Sequence, residues 1–292
     1  TGTVAIGGTL GSLIPPSVLF ILYGIFAEQS IARLFIAAII PGVISLLAYM
    51  LVIYFWVKIR PEVAPQPDET ISREARMKSL LDCWAILVLF IVVIGGIYIG
   101  LFTPTEAAGV GASATLILGL LLGRLKTDGV LSALKESVFQ TSMIFVIAIG
   151  GKLFVNFIAL TGLANEITFW IESTDASMFV VIGLIVVMYI FLGMFLDPIG
   201  IILLSLPLTI PIVEAYGLSL IWFGVVVVKL LEIGLVTPPI GLNVFVIKSI
   251  VDKTIKLESI FKGVGLFLVA EVFVVALIIC VPAVSLLLTA FV

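Results

Sequence analysis

The sequence contains no histidine, only two cysteines, and charged residues at just 11% of its 292 positions. The absence of histidine excludes HExxH zinc sites, Ser-His and Cys-His nucleophile pairs, and histidine proton relays. Cys83 and Cys280 lie in apolar runs without metal-ligand spacing, which favours small buried hydrophobes over metal ligands. No Gly-x-x-x-x-Gly-Lys-[Ser/Thr] motif is present, which argues against a pump driven by a P-loop ATPase.

Most residues of the sequence are apolar. They make up 62% of the sequence, and the mean hydropathy is +1.37, far above that of an ordinary soluble domain. Lipid accepts such a sequence, because a helix of roughly 20 apolar residues spans the hydrocarbon core. The apolar runs have the length of helices, which favours a helical bundle over a β-barrel. We therefore predict an all-α polytopic membrane protein. The net charge of −3 adds little, since basic residues matter here by position.

The apolar runs lie at about 4–27, 34–57, 84–102, 107–123, 138–158, 177–196, 197–213, 219–247 and 263–290. The chain begins inside such a run at Thr1, without a methionine or signal peptide, so we expect the C-terminal portion of a longer protein. Basic residues concentrate in three polar breaks, 58–82, 124–136 and 248–262, whereas 153–216 contains no Lys or Arg. Because basic loops tend to stay in the cytoplasm, we predict that all three breaks are cytoplasmic.

This topology constrains the region between the second and third breaks. An even number of crossings is required there, but the runs 138–158, 177–196 and 219–247 supply three. The run 197–213 is too short to span if it doubles back. We therefore predict that Ser137 to Ser173 forms more than one plain helix.

The most informative feature is a repeated motif. Leu10-Gly-Ser-Leu-Ile-Pro-Pro-Ser17 matches Ile233-Gly-Leu-Val-Thr-Pro-Pro-Ile240, and each copy lies in the middle of a run long enough to span. A Pro-Pro pair removes two backbone donors and clashes with the preceding turn, so each helix should break at membrane depth. Unsatisfied backbone groups persist there only if they face protein, water or a ligand. Ordinary proline kinks are the alternative interpretation.

Matched breaks in two halves of a chain are the best sequence indicator of a transporter site, because half-helix ends attract ions. With the basic loops in the cytoplasm, the first broken helix runs from the cytoplasmic to the outer face of the membrane. The second broken helix runs in the opposite direction. The two copies are then antiparallel, as in inverted repeats. Ser12 and Thr237 lie within the breaks, and we favour site roles for both.

Asp197 lies before an apolar stretch that carries Pro207 and Pro211. We predict a re-entrant helical hairpin at about 197–213 with Asp197 at its mouth. Two roles for Asp197 remain open, an ionisable site residue at membrane depth or the N-cap of the hairpin helix.

Other polar residues permit simpler interpretations. Lys229 and Glu232, one turn apart, predict an internal ion pair. Lys152 and Asn156 either face a cavity or lie toward an interface. Asn243 either contacts a ligand or satisfies broken backbone. Four further charges are interpreted as interface or span-end residues: Glu28, Arg33, Glu106 and Glu271.

Three motifs in order resemble the large membrane subunit of TRAP (tripartite ATP-independent periplasmic) transporters. They are Gly8-Thr-Leu-Gly-Ser-Leu-Ile-Pro-Pro-Ser17 with Tyr23-Gly24 and Glu28-Gln-Ser30, Phe102-Thr-Pro-Thr-Glu-Ala107, and Leu231-Glu-Ile-Gly-Leu-Val-Thr-Pro-Pro-Ile-Gly-Leu-Asn243. The resemblance extends over essentially the whole chain. It implies a bacterial inner-membrane protein, not an enzyme, that imports an organic acid with sodium by an elevator movement. The substrate would be of the sialic acid or C4-dicarboxylate type.

The resemblance also implies partners and sites. A periplasmic binding protein would deliver the substrate, a small four-helix subunit would extend the scaffold in the bilayer, and no nucleic acid would be involved. Sodium would be the only cofactor, and the hairpin that completes its first site would lie upstream of residue 1. The expected sodium-binding residues are Gly11, Ser12, Ile14, Pro15, Asp197, Gly234, Val236, Thr237 and Pro238. The expected substrate-binding residues are Pro16, Ser17, Pro239 and Asn243.

Four segments follow from this interpretation. Residues 1–30 form the first broken helix of the transport domain, and 31–136 form scaffold or arm helices with cytoplasmic loops. Residues 137–262 hold the second repeat, with its hairpin and the broken helix at about 219–247, and 263–292 form a C-terminal transmembrane helix. An ion channel that uses the broken-helix carbonyls as a filter is the alternative function. An intramembrane protease is disfavoured because Asp197 has no suitably placed second aspartate.

Overall fold

The computed structural model describes residues 2–64, 72–252 and 254–291. No β-strand occurs in these ranges, and the chain is helical nearly throughout. In chain order the helices are α1 (Gly2–Leu13), α2 (Val18–Phe26), α3 (Ile31–Ile59), α4 (Arg73–Asp82), α5 (Trp84–Tyr98), α6 (Pro104–Leu121), α7 (Thr127–Thr161), α8 (Leu163–Ser173), α9 (Met178–Gly193), α10 (Pro198–Ala215), α11 (Leu220–Val236), α12 (Leu242–Ile250), α13 (Leu257–Cys280) and α14 (Ala283–Leu286). Short 3-10 helices occur at Pro61–Val63 and Leu288–Phe291.

The multi-pass architecture predicted from composition is confirmed. Within the described ranges, α3, α6, α7, α10 and α13 are each long and apolar enough to cross a membrane, and the number rises from 5 to 7 if two bent helix pairs each count as one span. The predicted polar breaks at 58–82 and 248–262 fall partly outside the described residues, since Pro65, Pro67 and Lys253 are not described. The cytoplasmic placement of these loops stays a prediction.

The chain divides into two compact units. The first comprises Thr1–Phe55 and Phe145–Val292, and the second comprises Trp56–Ile144. Both proline breaks lie in the first unit, so the site is described there. The roles assigned to the segments 1–30, 31–136, 137–262 and 263–292 stay predictions.

In the second unit, α5 and α6 form a hairpin whose turn carries the Phe102-to-Ala107 motif. Thr103 caps α6: its hydroxyl accepts from the Glu106 backbone N–H, and Glu106 Oε2 accepts from the Thr103 backbone N–H at 2.8 Å. This reciprocal pair is a capping box, with Pro104 at the first helical position. The Phe102 ring packs against Gly96, where an added Cβ would lie 2.3 Å from the ring. In this structure the motif positions a turn between two helices.

In the first unit, α11 forms the centre. It contacts α1, α2, α9, α10, α12, α13 and α14, and every residue of α11 except Leu220 and Leu235 is buried. Apart from Lys229 and Glu232, which pair with each other, α11 is apolar around its circumference, so it can be buried on all sides. The helices on either side of both breaks therefore pack around one central element.

The prediction that residues 137–173 form more than one plain helix is confirmed. Helix α7 ends at Thr161 and α8 begins at Leu163, separated by Gly162 with φ +71°. A positive φ is accessible to glycine without steric cost, so the chain changes direction there.

The predicted bounds of the hairpin were wrong. Residues 198–215 form one continuous helix, α10, and the turn lies earlier, between the end of α9 at Gly193 and Asp197. The far ends of α9 and α10 meet, because the Tyr216 hydroxyl donates to the Ala176 carbonyl at 2.7 Å. The hairpin therefore consists of α9 and α10 in antiparallel orientation. Prolines are tolerated inside membrane helices that pack against neighbouring helices, and α10 continues through Pro207 and Pro211.

The expected burial of the two cysteines was also wrong. Cys83 and Cys280 are both exposed on the surface of the chain, each as a free thiol. Cysteine is small and apolar enough to lie on a lipid-facing surface as well as in a core, so its position in an apolar run does not predict burial in a membrane protein.

Candidate ion and substrate site at two broken helices

The first break separates α1 from α2, which meet at an angle of 40°. The last backbone hydrogen bond of α1 runs from Ile14 N to Leu10 O at 2.9 Å. The next two carbonyls, of Gly11 and Ser12, would pair with the amides of residues 15 and 16, but both are proline and have no N–H. Both carbonyls are thus available to a ligand. Gly11 is exposed, with open space where a Cβ would be.

After the break, Ser17 begins α2. It is buried, and its hydroxyl accepts a long 3.5 Å hydrogen bond from the Phe20 backbone N–H. Of the neighbouring predicted site residues, Pro15 is buried, Ser12 is half-buried, and Ile14 and Pro16 are exposed. The Pro15-Pro16 peptide bond is cis.

The second break, between α11 and α12, has the same construction. The Pro238-Pro239 bond is also cis, and the missing amides would have paired with the carbonyls of Gly234 and Leu235. The Gly234 carbonyl instead accepts from Thr237 N at 3.1 Å, which leaves Leu235 with the freed carbonyl. The sequence interpretation missed Leu235, although its position four residues before Pro239 was a sufficient signal.

Thr237 and Asn243 lie on either side of this break. The Thr237 hydroxyl donates to the Ile233 carbonyl at 2.6 Å, so its oxygen remains available only as an acceptor. Asn243 is half-buried in the first turn of α12, which begins after Gly241 with φ +59°. Val236 is buried, whereas Pro238 and Pro239 are exposed.

The two broken helices run antiparallel, as predicted. Helix α2 packs against α11, and the Tyr23 hydroxyl donates to the Leu220 carbonyl at the start of α11 at 2.6 Å. Conversely, α1 packs against α12 as well as α11. The second half of one copy thus meets the first half of the other, which is the arrangement of inverted repeats.

The hairpin contacts the second break closely. Gly193 at the end of α9 lies against Gly234 in α11, and a Cβ added at Gly193 would lie 2.9 Å from the Gly234 Cα. Only a residue without a side chain permits two helices to approach so closely. The structure therefore brings the turn of the hairpin to Gly234.

Asp197 is an N-cap. Its Oδ2 atom accepts from Ile199 N at 3.0 Å and from Gly200 N at 3.3 Å, and the residue is exposed. Of its two open roles, the geometry shows the cap. A role in ion binding stays a prediction.

A buried charge cluster joins α11, the helix that leads to the second break, to α13. Lys229 Nζ is 3.1 Å from Glu232 Oε2, which confirms the predicted ion pair, and 2.9 Å from Glu271 Oε2. All three side chains are at most 1% exposed. The interpretation of Glu271 as an interface or span-end charge was wrong, because α13 packs this carboxylate against α11.

The sequence interpretation also missed a hydroxyl network inside the hairpin. Ser205 Oγ lies 2.7 Å from the Tyr189 hydroxyl, and Tyr189 lies 3.4 Å from Thr209 Oγ1. All three residues are buried. Ser205 and Thr209 are four residues apart, a spacing that places both side chains on one face of a helix, and this could have indicated the network from the sequence.

Lys152 lines a cavity of about 210 Å³ between α7, α10 and Phe26 of α2, together with Pro207 and Pro211. Because Lys152 is also exposed, both predictions for it, a side chain facing a cavity or one directed toward an interface, stay open. Asn156 is not among the residues that line this cavity.

A helical membrane bundle with two antiparallel broken helices at its centre belongs to the class of secondary transporters built from inverted repeats. Within that class, the chain belongs to the family of the DctM component of tripartite ATP-independent periplasmic transporters, whose model matches residues 1–284. Its apolar helices and bacterial relatives indicate a multi-pass protein of the bacterial inner membrane.

Named relatives support this assignment. The chain is 33% identical over 288 residues to the sialic acid TRAP transporter large permease protein SiaM of Vibrio cholerae, covering 98% of this chain and 66% of that protein. It is 32% identical over 286 residues to the C4-dicarboxylate TRAP transporter large permease protein DctM of Pseudomonas aeruginosa, with the same coverage of 98% and 66%. For the sialic acid TRAP transporter permease protein SiaT of Haemophilus influenzae, identity is 32%, covering 96% of this chain and 45% of that protein. The chain thus spans only part of the length of each of these relatives.

Proposed function

We propose that this chain is part of the large membrane subunit of a sodium-coupled transporter that imports an organic acid of the sialic acid or C4-dicarboxylate type. A periplasmic binding protein delivers the acid, and a small four-helix membrane subunit extends the scaffold. The unit that carries the broken helices moves the substrate across the bilayer as an elevator. The observation that supports this most is the pair of antiparallel breaks with freed carbonyls at Gly11, Ser12 and Leu235.

The residues at the breaks suit a sodium ion. Among the described residues there is no group of three or more His, Cys, Asp or Glu that could hold a metal, so a cation there would bind backbone carbonyls and hydroxyls. Hard cations prefer oxygen ligands, and unwound carbonyls coordinate sodium in transporters with broken helices. The sodium ligands would then be the carbonyls of Gly11, Ser12 and Leu235 with the hydroxyls of Ser12 and Thr237.

The other half of each break suits a carboxylate. Helices α2 and α12 begin shortly after the Pro-Pro pairs, and their first amides have no partner within the helix. Helix N-termini attract anions through these amides and the helix dipole. Ser17 at the start of α2 and Asn243 at the start of α12 add polar side chains at the two ends. We assign Pro16, Ser17, Pro239 and Asn243 to the substrate side.

Uptake into proteoliposomes tests the function. The full-length permease, reconstituted with its small subunit and supplied with its binding protein, is expected to accumulate a labelled organic acid only under an inward sodium gradient. Sialic acid, succinate and fumarate form the first panel. Saturable uptake that needs both sodium and the binding protein supports the proposal. Sodium conductance without substrate would instead support the channel alternative, which uses the same carbonyls as a filter.

Two variants of Asp197 distinguish a role of its charge in ion binding from its role as a helix N-cap. We expect Asp197→Asn to keep the cap, because an asparagine side chain also accepts from the backbone, whereas Asp197→Ala should cost about 1 kcal/mol of stability. If the charge serves ion binding, both variants lose sodium-driven uptake, and the Asn variant keeps wild-type thermal stability. Wild-type uptake by Asp197→Asn would remove this carboxylate from the sodium site.

A further inference from the structure

The cavity of about 210 Å³ between α7 and α10 is also lined by Phe26 of α2. Its walls are apolar except for Lys152, which is exposed and therefore lies at the mouth of the cavity. The preceding residue, Gly151, packs against Leu203, so α7 and α10 touch beside this mouth. All of these residues belong to the first compact unit. The cavity thus combines an apolar interior with one cation at its opening.

Lys152 is a cation inside a membrane helix, and it has no counter-charge among the described residues. It lies nine residues before the end of α7 at Thr161, a rise of about 14 Å, or about half the thickness of a hydrocarbon core. None of the described residues forms an ion pair or a hydrogen bond with its ammonium. A charge at this depth is costly unless it meets an anion or extends toward the headgroups. An anionic group at the mouth of the cavity would therefore stabilise the ammonium.

Two backbone carbonyls on the α10 wall of the cavity have lost their helical partners. In a helix each carbonyl points at the amide four residues later, and proline has no N–H. Pro207 and Pro211 therefore free the carbonyls of Leu203 and Pro207. These carbonyls point toward the two prolines, and all three residues line the cavity. The hydroxyls of Ser205 and Thr209 bond to other carbonyls of α10. The wall thus offers two hydrogen-bond acceptors within an apolar surface.

We propose that this cavity binds a membrane phospholipid whose headgroup carries a hydrogen-bond donor beside its phosphate. The phosphate contacts the Lys152 ammonium, the donor group bonds to the carbonyls of Leu203 and Pro207, and an acyl chain occupies the apolar interior. Lipid reaches the opening directly, because α7 is exposed along most of its apolar length. A soluble organic acid suits the cavity less well, since its other polar groups would face apolar walls.

Native mass spectrometry measures this binding on the full-length permease, purified in detergent with its small subunit. Phosphatidylethanolamine and phosphatidylcholine are added separately, because both carry the phosphate but only the first has N–H donors. We expect one site that binds phosphatidylethanolamine about tenfold more tightly. Lys152→Met should weaken the binding of both lipids at that site by about tenfold or more. The control is Lys126→Met, which removes an exposed ammonium just before the same helix and should change neither affinity.

Two further variants keep Lys152 and change the cavity. Replacing both Pro207 and Pro211 by alanine supplies the missing amides, so the two carbonyls gain partners within α10. We expect this double variant to lose the preference for phosphatidylethanolamine and to keep its affinity for phosphatidylcholine. Ile210→Trp places a larger side chain in the cavity from a half-buried position and should abolish the binding of both lipids.

The wild type and Lys152→Met are sufficient to overturn the proposal. Since the Lys152 side chain is exposed, we expect Lys152→Met to keep wild-type thermal stability. Equal affinities of the wild type for the two lipids would contradict the role of the carbonyls, and unchanged affinities in Lys152→Met would contradict the role of the ammonium. Displacement of the bound lipid by free sialic acid or succinate would assign the cavity to a soluble organic acid instead.

Discussion

Lys229→Met is expected to lower the free energy of unfolding by about 3–5 kcal/mol, because removing one partner leaves buried charge uncompensated. Two carboxyl groups, Glu232 and Glu271, would remain buried without the ammonium that lies 3.1 Å and 2.9 Å from them. Methionine keeps most of the length of the lysine side chain, so the change in the free energy of unfolding reflects the lost charge more than lost volume. Denaturant or thermal unfolding of the purified full-length permease measures it.

Two controls separate the charge effect from other causes. Lys262→Met on α13 removes an exposed ammonium and should change stability by less than about 0.5 kcal/mol. Adding Glu232→Gln and Glu271→Gln to Lys229→Met removes every charge of the cluster, and most of the lost stability should return. Equal effects of Lys229→Met and Lys262→Met, or no recovery in the triple variant, would contradict a buried ion cluster.

Gly193→Ala is expected to destabilise the hairpin against α11 by about 1–3 kcal/mol, because the added methyl overpacks a helix crossing. Its Cβ would lie 2.9 Å from the Gly234 Cα, and backbone atoms there cannot move aside as a flexible side chain could. Since Gly234 lies in the last turn of α11 before the second break, we expect uptake to fall with stability. Thermal unfolding and proteoliposome uptake measure the two effects.

The matched control is Gly183→Ala, on the same helix α9. A Cβ at Gly183 meets no atom within 4 Å, so this substitution should be neutral or slightly stabilising through helix propensity. If Gly193→Ala and Gly183→Ala change thermal stability and uptake equally, the close approach of α9 and α11 is not the cause of the effect at Gly193.

Much of the architecture was predictable from the sequence, because its signals are local. Proline has no N–H, so the pairs at Pro15-Pro16 and Pro238-Pro239 had to end their helices whatever surrounds them. The length of the apolar runs similarly predicted the spans. Their repetition, combined with the positions of the basic loops, predicted that the two broken helices run antiparallel.

The errors arose where distant residues decide the outcome. Glu271 was misinterpreted because its partner Lys229 lies 42 positions away, and nothing in its neighbours on α13 shows that contact. The hairpin bounds were wrong because Pro207 and Pro211 were treated as breaks, although α10 continues through both. A local signal for the true boundary did exist, since Asp197-Pro198 combines an N-cap with a proline at the first helical position.

The two halves of the second broken helix are unequally anchored. Helix α11 is buried almost throughout and is joined to α13 by the charge cluster, whereas α12, which lies wholly within the described ranges, buries Val244 alone. Segments with few buried contacts open locally at low free energy, while central helices open only with the whole fold. A ligand that enters the break should therefore displace α12, while α11 holds its place.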